Sequence, residues 1–374
     1  MASTIDTLIR PSVKLIHPYS PGKPTEELER ELGITGAVKF ASNENPLGPS
    51  PLAVEAMRDA LNGLNRYGDA GCWGLRQELS RLRGLPDDHF AVVNGSSEAI
   101  YLAALLTCEP GDEIVYADPP SFLLYKAAAL VTGAKPVPVA RRNFVHDLDA
   151  MRGAITPRTR VLFVDNPDNP TGTSVGRAEV EKLLAAVPGH VLVVFDHADA
   201  EYAARPDFPD LLPYIREGRA VAEMRTFSKV YALAGARAAY VTAHPTLIQY
   251  FNRARLPFNV NSLAPAAAAA AVRDQDHVRR AVELNRESLT LMADGFHALG
   301  LTVVPSDANF LLIRLPMDAR PVQAEMERRG VIVRSMLAFG LGPEFLRVTS
   351  GTRAQTEHLL RVFREVLAGA SAAR

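Results

Sequence analysis

Met224-Arg225-Thr226-Phe227-Ser228-Lys229-Val230-Tyr231-Ala232-Leu233-Ala234-Gly235-Ala236-Arg237 sets one lysine between a short apolar run and a Gly/Ala-rich turn. A lysine in such a setting is open to desolvation, which lowers an ammonium pKa and frees an amine able to attack carbonyls. Ser228 is adjacent and Arg237 lies eight residues on. A hydroxyl and a guanidinium around a lysine suit a phosphate monoester. An aldehyde condensed with the lysine and carrying a phosphate nearby describes pyridoxal phosphate. The plain alternative, for this stretch alone, is a surface lysine ahead of a helix.

The stretch belongs to a series. Phe90 to Asn94, Glu113 to Ala117, Lys135 to Val139, Val161 to Val164, Val191 to Phe195, Ala220 to Met224 and Ala239 to Thr242 are short apolar runs, most of them separated by helical stretches. Gly95-Ser96-Ser97-Glu98 opens one such helix, to about Thr107, and another runs from Phe122 to Val131. Pro136 and Pro138 confine the third run to a sheet edge. Strands alternating with helices predict right-handed crossovers and an α/β fold with a mostly parallel central sheet.

Outside that series the texture differs. Residues 1–45 read as an arm whose prolines favour an extended path, with a short helix from Glu26 to Leu32; a helix near Pro51 to Leu61 follows, capped by Ser50. Near Ala264 an alanine-rich helix runs into Val278 to Leu299. Strands at Thr302 to Val304, Asn309 to Leu315, Val331 to Arg334 and Phe345 to Thr349 then mix with helices near Val322 to Arg329 and Ala354 to Leu367. We therefore expect residues 46–275 to form a large cofactor-binding domain and residues 276–374 a smaller α+β domain, with the 1–45 arm packing on the latter.

Composition excludes several classes. At 374 residues the chain is long enough for a large core, and its 47% hydrophobic and 22% charged content is ordinary for a soluble globular protein. A formal net charge of −1 offers no basic field for nucleic acid. Cys72 and Cys108 show no metal-ligand spacing, so reduced thiols in a cytosol are expected. Met1 to Ile16 holds no apolar core of signal-peptide length, and Leu263 to Val272, mostly alanine, is too short to span a bilayer. A cytoplasmic protein without a membrane or nucleic-acid partner is expected.

Three more motifs carry chemistry. Gly95-Ser96-Ser97 lies between a strand and a helix, where free N–H groups, a positive dipole end and two hydroxyls suit a phosphate; a glycine needed only for the turn is the plain reading. Asp165-Asn166-Pro167-Asp168-Asn169-Pro170-Thr171-Gly172 follows the Val161 strand, and its two Asn-Pro steps present Asn169 at the carboxyl edge of a parallel sheet. Asp196 closes the next strand. A carboxylate there needs a cationic partner, for which a pyridinium nitrogen would serve and thereby keep the ring an electron sink; the alternative is helix capping.

In the order Ser96/Ser97, Asn169, Asp196, Lys229, Arg237, the chain resembles the fold-type I pyridoxal phosphate enzymes of the class I/II aminotransferase superfamily, and within it the histidinol-phosphate aminotransferase branch. The resemblance covers nearly the whole chain. It rests on Pro18-Tyr19-Ser20-Pro21-Gly22-Lys23, Ser42-Asn43-Glu44-Asn45-Pro46, Arg66-Tyr67, the Asn166 to Gly172 loop, Thr226-Phe227-Ser228-Lys229, Leu233-Ala234-Gly235-Ala236-Arg237, Pro305-Ser306-Asp307-Ala308-Asn309-Phe310 and Leu346-Arg347-Val348-Thr349. It implies that Lys229 holds the cofactor covalently and later shuttles the Cα proton. It further implies that Asp196 pairs with the pyridine nitrogen, that Asn169 pairs with the ring oxygen, and that Ser96, Ser97, Ser228 and Arg237 hold the phosphate. Phe122 would stack on the ring. Tyr67 would reach the phosphate in a neighbouring subunit, hence a homodimer. Arg334 and Arg347, with Tyr19 nearby, would bind the substrate's anionic group. The implied activity moves an amino group between an amino acid or amino-alcohol phosphate and 2-oxoglutarate.

Two departures from the family pattern stand out. Where the family reads Asp-Glu-Ala-Tyr, this chain reads Asp196-His197-Ala198-Asp199. A carboxylate in place of the tyrosine that meets the ring oxygen is repelled by a phenolate, or protonated with a raised pKa, or turned away with Tyr202 or a water filling in. The change keeps another reaction on the same scaffold open: decarboxylation, or amino-acid oxidation or cyclisation. The second departure is Tyr67-Gly68-Asp69, where proline commonly follows the tyrosine.

Overall fold

A computed structural model describes residues 4–19 and 21–372; Ser20 of the arm motif lies outside the described residues. Its largest element is a seven-stranded sheet, in the spatial order Phe90–Val93, Ala239–Ala243, Val221–Thr226, Leu192–Asp196, Thr159–Asp165, Glu113–Ala117 and Lys135–Val139. Only Ala239–Ala243 runs against its neighbours. The central strands are mostly apolar because both faces are covered, with Glu223 and Arg225 the charged pair inside Val221–Thr226. Val161, Phe163 and Val194 pack into one core with Tyr116 and Tyr125, while Leu162, Val164, Val193 and Phe195 pack into the other. Lys135–Val139, with its two prolines, takes the edge.

The Pro51–Ala60 helix is capped by Ser50, whose Oγ accepts from the Leu52 N–H at 3.2 Å. The alanines of Leu263–Arg273 let that helix lie close against Pro51–Ala60 and Trp73–Arg83. Here the structure differs from the expected continuous helix: Leu263–Arg273 ends at Asp274, which starts a separate helix, Gln275–Ala298. Asp274 has non-helical backbone, accepts from the His277 N–H at 3.1 Å and receives the Ser50 hydroxyl at 2.5 Å. An N-capping carboxylate in mid-run breaks a helix that its apolar periodicity alone would carry through.

Beyond that break, a four-stranded antiparallel sheet runs Arg334–Ser335, Phe345–Thr349, Phe310–Arg314, Thr302–Val304. Leu311, Ile313, Leu346 and Val348 bury one of its faces with Met292, Phe296 and Phe363 from helices Gln275–Ala298 and Arg353–Ala372. The expected single strand Val331 to Arg334 is instead two pieces. Val331–Ile332 pairs in parallel with Val38–Lys39 of the arm, and Arg334–Ser335 pairs with Phe345–Thr349. The arm is less extended than its prolines suggest. Thr4–Leu8 and Pro11–Lys14 form short helices, the second with Pro11 in its first turn, and Arg10 donates to the Val131 carbonyl at 2.6 Å.

The two sheets are joined at the mouth between them. The Gly172 carbonyl accepts from the Asp307 N–H at 2.8 Å, and Ser174 donates to the Asp307 carboxylate. Gly172 has φ +80°, and a Cβ there would stand 2.3 Å from Ser306 Oγ. Asn43 donates its N–H to Thr349 Oγ1 at 3.0 Å and accepts at its carbonyl from Asn309 at 2.9 Å.

Candidate active site

The carboxyl ends of the central strands open into a cavity of about 440 Å³ that both sheets line, the place where open α/β sheets bind ligands. Tyr19, Ser96, Ser97, Phe122, Asn169 and Asp196 reach it, as do Asp199, Ser228, Lys229, Arg237 and Arg347. Tyr67 and Arg334 do not line it. Tyr67 is 83% exposed and stacks on Phe258, with ring centroids 4.4 Å apart. Arg334 is the strand partner of Arg347 and lies over the Phe339 ring.

One end of the cavity is an anion cradle. Gly95, at φ +79°, turns the chain from the Phe90–Val93 strand into the helix that begins at Ser96. A Cβ on Gly95 would lie 2.3 Å from Arg237 Nη2, so only glycine admits the guanidinium there. Arg237 is held by a donation to the Ala234 carbonyl at 3.1 Å and approaches Ser228 Oγ at 3.5 Å. Thr226 donates to Ser228 Oγ at 3.0 Å. Hydroxyls, a guanidinium and a helix N-terminus together fit a phosphate dianion.

Lys229 projects from the loop after Val221–Thr226. Burial lowers its pKa, opposed by the charge of Asp199. An amine so treated is more often in its neutral, nucleophilic form at neutral pH.

Farther along the strand ends lies a buried acid–base array. Asp196 Oδ2 accepts from the Tyr125 hydroxyl at 3.1 Å and Oδ1 from the Ala198 N–H at 3.2 Å. Burial first, then the charge of Asp165, pushes its pKa up to about 7. Asp165 meets His146 Nε2 at 3.0 Å and accepts from the Asn169 N–H at 3.1 Å. Arg141 forks onto Asp168, Nε at 2.7 Å and Nη2 at 2.8 Å, and Thr171 adds a hydroxyl at 2.6 Å. Phe122 meets Tyr125 edge-on, centroids 5.7 Å apart. Tyr125 and Asp165 were not singled out in the sequence. Tyr125 stands one helical turn past Phe122, and Asp165 opens the Asn-Pro loop, but neither spacing names a role.

The other end of the cavity is cationic. Arg347 is buried, donates to Asn169 Oδ1 at 2.5 Å and to the Ala41 carbonyl at 3.1 Å, and lies over the rings of Phe310 and Phe339. Its Nε has no partner among the described residues, and burial pulls its pKa down to about 10. An anion entering here would satisfy that donor. Since Arg347 occupies the amide oxygen of Asn169, the Asn169 NH₂ is left to donate into the cavity.

Asp199 lines the cavity too. It starts the Ala200–Tyr202 turn without capping it, and its Oδ1 is buried with no partner. Burial raises its pKa, against the pull of Lys229 and Arg347. Tyr202 does not take its place in the cavity lining. A phosphate cradle that excludes a Cβ, a buried amine and a buried carboxylate lacking a cation fit pyridoxal phosphate.

Known proteins agree with this chemistry. The family described as aminotransferase class I and II matches residues 35–363. The histidinol-phosphate aminotransferase of Moorella thermoacetica is 47% identical over 96% of this chain and 93% of its own length. Histidinol-phosphate aminotransferase 1 of Nitrosococcus oceani is 43% identical over 95% of each chain. Among solved structures, histidinol-phosphate aminotransferase from Sinorhizobium meliloti in complex with pyridoxal-5'-phosphate is similar, with a TM-score of 0.88 and 27% identity, covering 97% of this chain and 98% of that one.

Gly95→Ala tests the cradle. The added methyl collides with Arg237, so binding of pyridoxal phosphate to the cofactor-free protein should weaken about tenfold or more while the circular dichroism spectrum is kept. Unchanged affinity by equilibrium titration would place the phosphate elsewhere.

Proposed function

The chain belongs to the class I and II aminotransferase family, and from that premise we propose that it carries the amino group of histidinol phosphate, or of an amino acid, to 2-oxoglutarate. It is a pyridoxal phosphate-dependent aminotransferase. When bound, the cofactor supplies an aldehyde that takes up the amino group and a ring that withdraws electrons from the substrate Cα. The chain's own residues do the rest. Lys229 anchors the cofactor and moves the proton at Cα. Ser96, Ser97, Ser228 and Arg237 grip the phosphate, Asp196 holds a proton on the ring nitrogen, Asn169 donates to the ring oxygen, and Phe122 covers the ring face.

The substrate reading rests on one observation. Arg347 offers a buried, partly unpartnered guanidinium in the same cavity as the phosphate cradle but from the other sheet. A substrate with its own anionic group would thereby be held with its amine toward Lys229, Tyr19 lining the same cavity and Arg334 standing behind Arg347 as its strand partner. Identity of 47% to a histidinol-phosphate aminotransferase supports an amino-alcohol phosphate as that substrate.

We further read the enzyme as a cytoplasmic homodimer divided at residues 45 and 275. Tyr67, Phe258, Trp73 and Leu256 are exposed, two of them stacked, and such an apolar group suits a partner subunit. Tyr67 would then enter the partner's phosphate site. Cys72 and Cys108 are unpaired, as in a reducing compartment. No described helix is long and apolar enough to cross a membrane.

Asp199 favours a second reading, a decarboxylase or an amino-acid oxidase or cyclase, because its buried carboxylate stands where the family carries a tyrosine. One experiment separates the two. Histidinol phosphate added to the loaded protein should convert the visible band to that of the amine form, and 2-oxoglutarate should restore it. Release of carbon dioxide or hydrogen peroxide instead would favour the second reading, and no conversion would reject histidinol phosphate.

Two variants sharpen this. Arg347→Ala should weaken substrate binding by about 2–5 kcal/mol and cofactor binding far less; equal losses would make Arg347 structural. A carboxylate beside the ring oxygen favours a proton at the neighbouring nitrogen, whereas a tyrosine hydroxyl stabilises the phenolate. Asp199→Tyr should therefore lower the pH at which the visible band shifts. An unmoved spectral titration would show that Asp199 does not act on the cofactor.

A further inference from the structure

We infer that Asp165 is a second acidic residue of the ring-nitrogen pocket: held by His146 and lying beside Asp196 on the neighbouring strand, it adds its charge to the place where a protonated ring nitrogen docks. The inference rests on Asp196 being the partner of that nitrogen.

Register carries the first part of the argument. Thr159–Asp165 and Leu192–Asp196 are adjacent parallel strands, and Asp165 and Asp196 are direct register partners. Alternation sends both side chains to the face that buries Val161, Phe163 and Val194. Both line the cavity and are 4% and 5% exposed.

Charge carries the second part. Three buried carboxylates, Asp165, Asp168 and Asp196, meet two cationic partners, Arg141 and His146. Arg141 is committed to Asp168 by its two-pronged contact and His146 to Asp165. Asp196 receives only neutral donors, the Tyr125 hydroxyl and the Ala198 N–H. Counting these five groups, the array is one positive charge short, and Asp196 is the one of the three carboxylates with no cation in hydrogen-bond contact among the described residues. Burial opposes a charge on His146, yet Asp168 and the contact with Asp165 outweigh it and raise its pKa. Asp165 stays well below the usual carboxylate range despite burial, through that same contact. A like charge at the next strand position disfavours a lone Asp196 carboxylate and favours a cation against it. The charged groups facing Asp196 are Asp165 from the adjacent strand, Asp199 from the loop after its own strand and Lys229 from the loop after the next. Asp165 thus acts as a positioning residue, raising the proton affinity of the bound ring through Asp196.

The test uses the cofactor-free protein and pyridoxine 5'-phosphate, which lacks the aldehyde and leaves Lys229 unreacted. Its ring nitrogen is protonated at neutral pH. In the parent protein its affinity should fall as pH drops through about 7, where Asp196 takes up a proton that binding must expel. Asp165→Asn lowers the pKa of Asp196, so this midpoint should move down by roughly one pH unit, with affinity on the alkaline side about tenfold weaker. His146→Gln keeps a hydrogen bond to Asp165 but removes its countercharge, so the midpoint should move up. That variant carries the test if Asp165→Asn does not fold. Midpoints that stay in place while binding weakens uniformly would overturn the inference and leave Asp165 structural. Asp196→Asn is the control. It should abolish the pH dependence, and a profile it left intact would refute the reading of Asp196 rather than that of Asp165.

Discussion

A carboxylate buried at the end of a central strand with no cation in hydrogen-bond contact is the constraint on which this site turns. Asp196 has a hydroxyl and an amide for company and a second carboxylate beside it. Burying an ion without a counterion is costly in any fold, and the protein meets the cost only by holding a proton there or by admitting a cationic ligand. The rest of the cavity is consistent with the second solution. Ser96, Ser97, Ser228 and Arg237 line one part of it, with Phe122 and Lys229 on its walls, and a ring carrying a phosphate would be held there with its charge toward Asp196. A lysine freed of its proton and a ring held protonated are complementary demands. Separate causes meet them, desolvation at Lys229 and paired acids at Asp196.

The fold makes this possible by bringing strand ends together. Asp165, Asp196, the Ser228–Lys229 loop and the Gly95–Ser97 turn all follow strands that run the same way, so their side chains meet at one edge. Arg347 comes from the other sheet, and its bond to Asn169 ties the cationic end of the cavity to the Asn-Pro loop. The Gly172–Asp307 contact ties the two sheets together, and the Asn43 bonds fasten the arm to the smaller one. A change at the sheet junction is therefore felt at both ends of the cavity.

Much of this was legible in the sequence for physical reasons. Most sheet strands are dominated by apolar residues because both faces are buried, and glycine, proline and asparagine mark turns beside the cavity. Ser50 announced its helix. The Trp73–Arg83 helix was harder to see, since its Leu75, Leu79, Leu82 stripe is short and set among Gly74 and four charged residues. The break at Asp274 hid inside a sustained helical period because it depends on a carboxylate finding Ser50 from a distant helix. The partnership of Asp165 with Asp196 depends on strand register, and that of Tyr125 with Asp196 on how a helix seats on the sheet. Neither quantity is written in local spacing. Tyr67 is exposed and does not line this chain's own cavity, so nothing within one chain tests the part expected of it.

The protonation of the bound ring is the most direct measure of this account. With the ring nitrogen isotopically labelled, nitrogen NMR of the loaded protein should show a protonated nitrogen throughout the neutral range and well into the alkaline one, since Asp196 and Asp165 both favour its charge. A shift characteristic of an unprotonated nitrogen at neutral pH would contradict it, because the buried acids would then lack the cation around which the site is built.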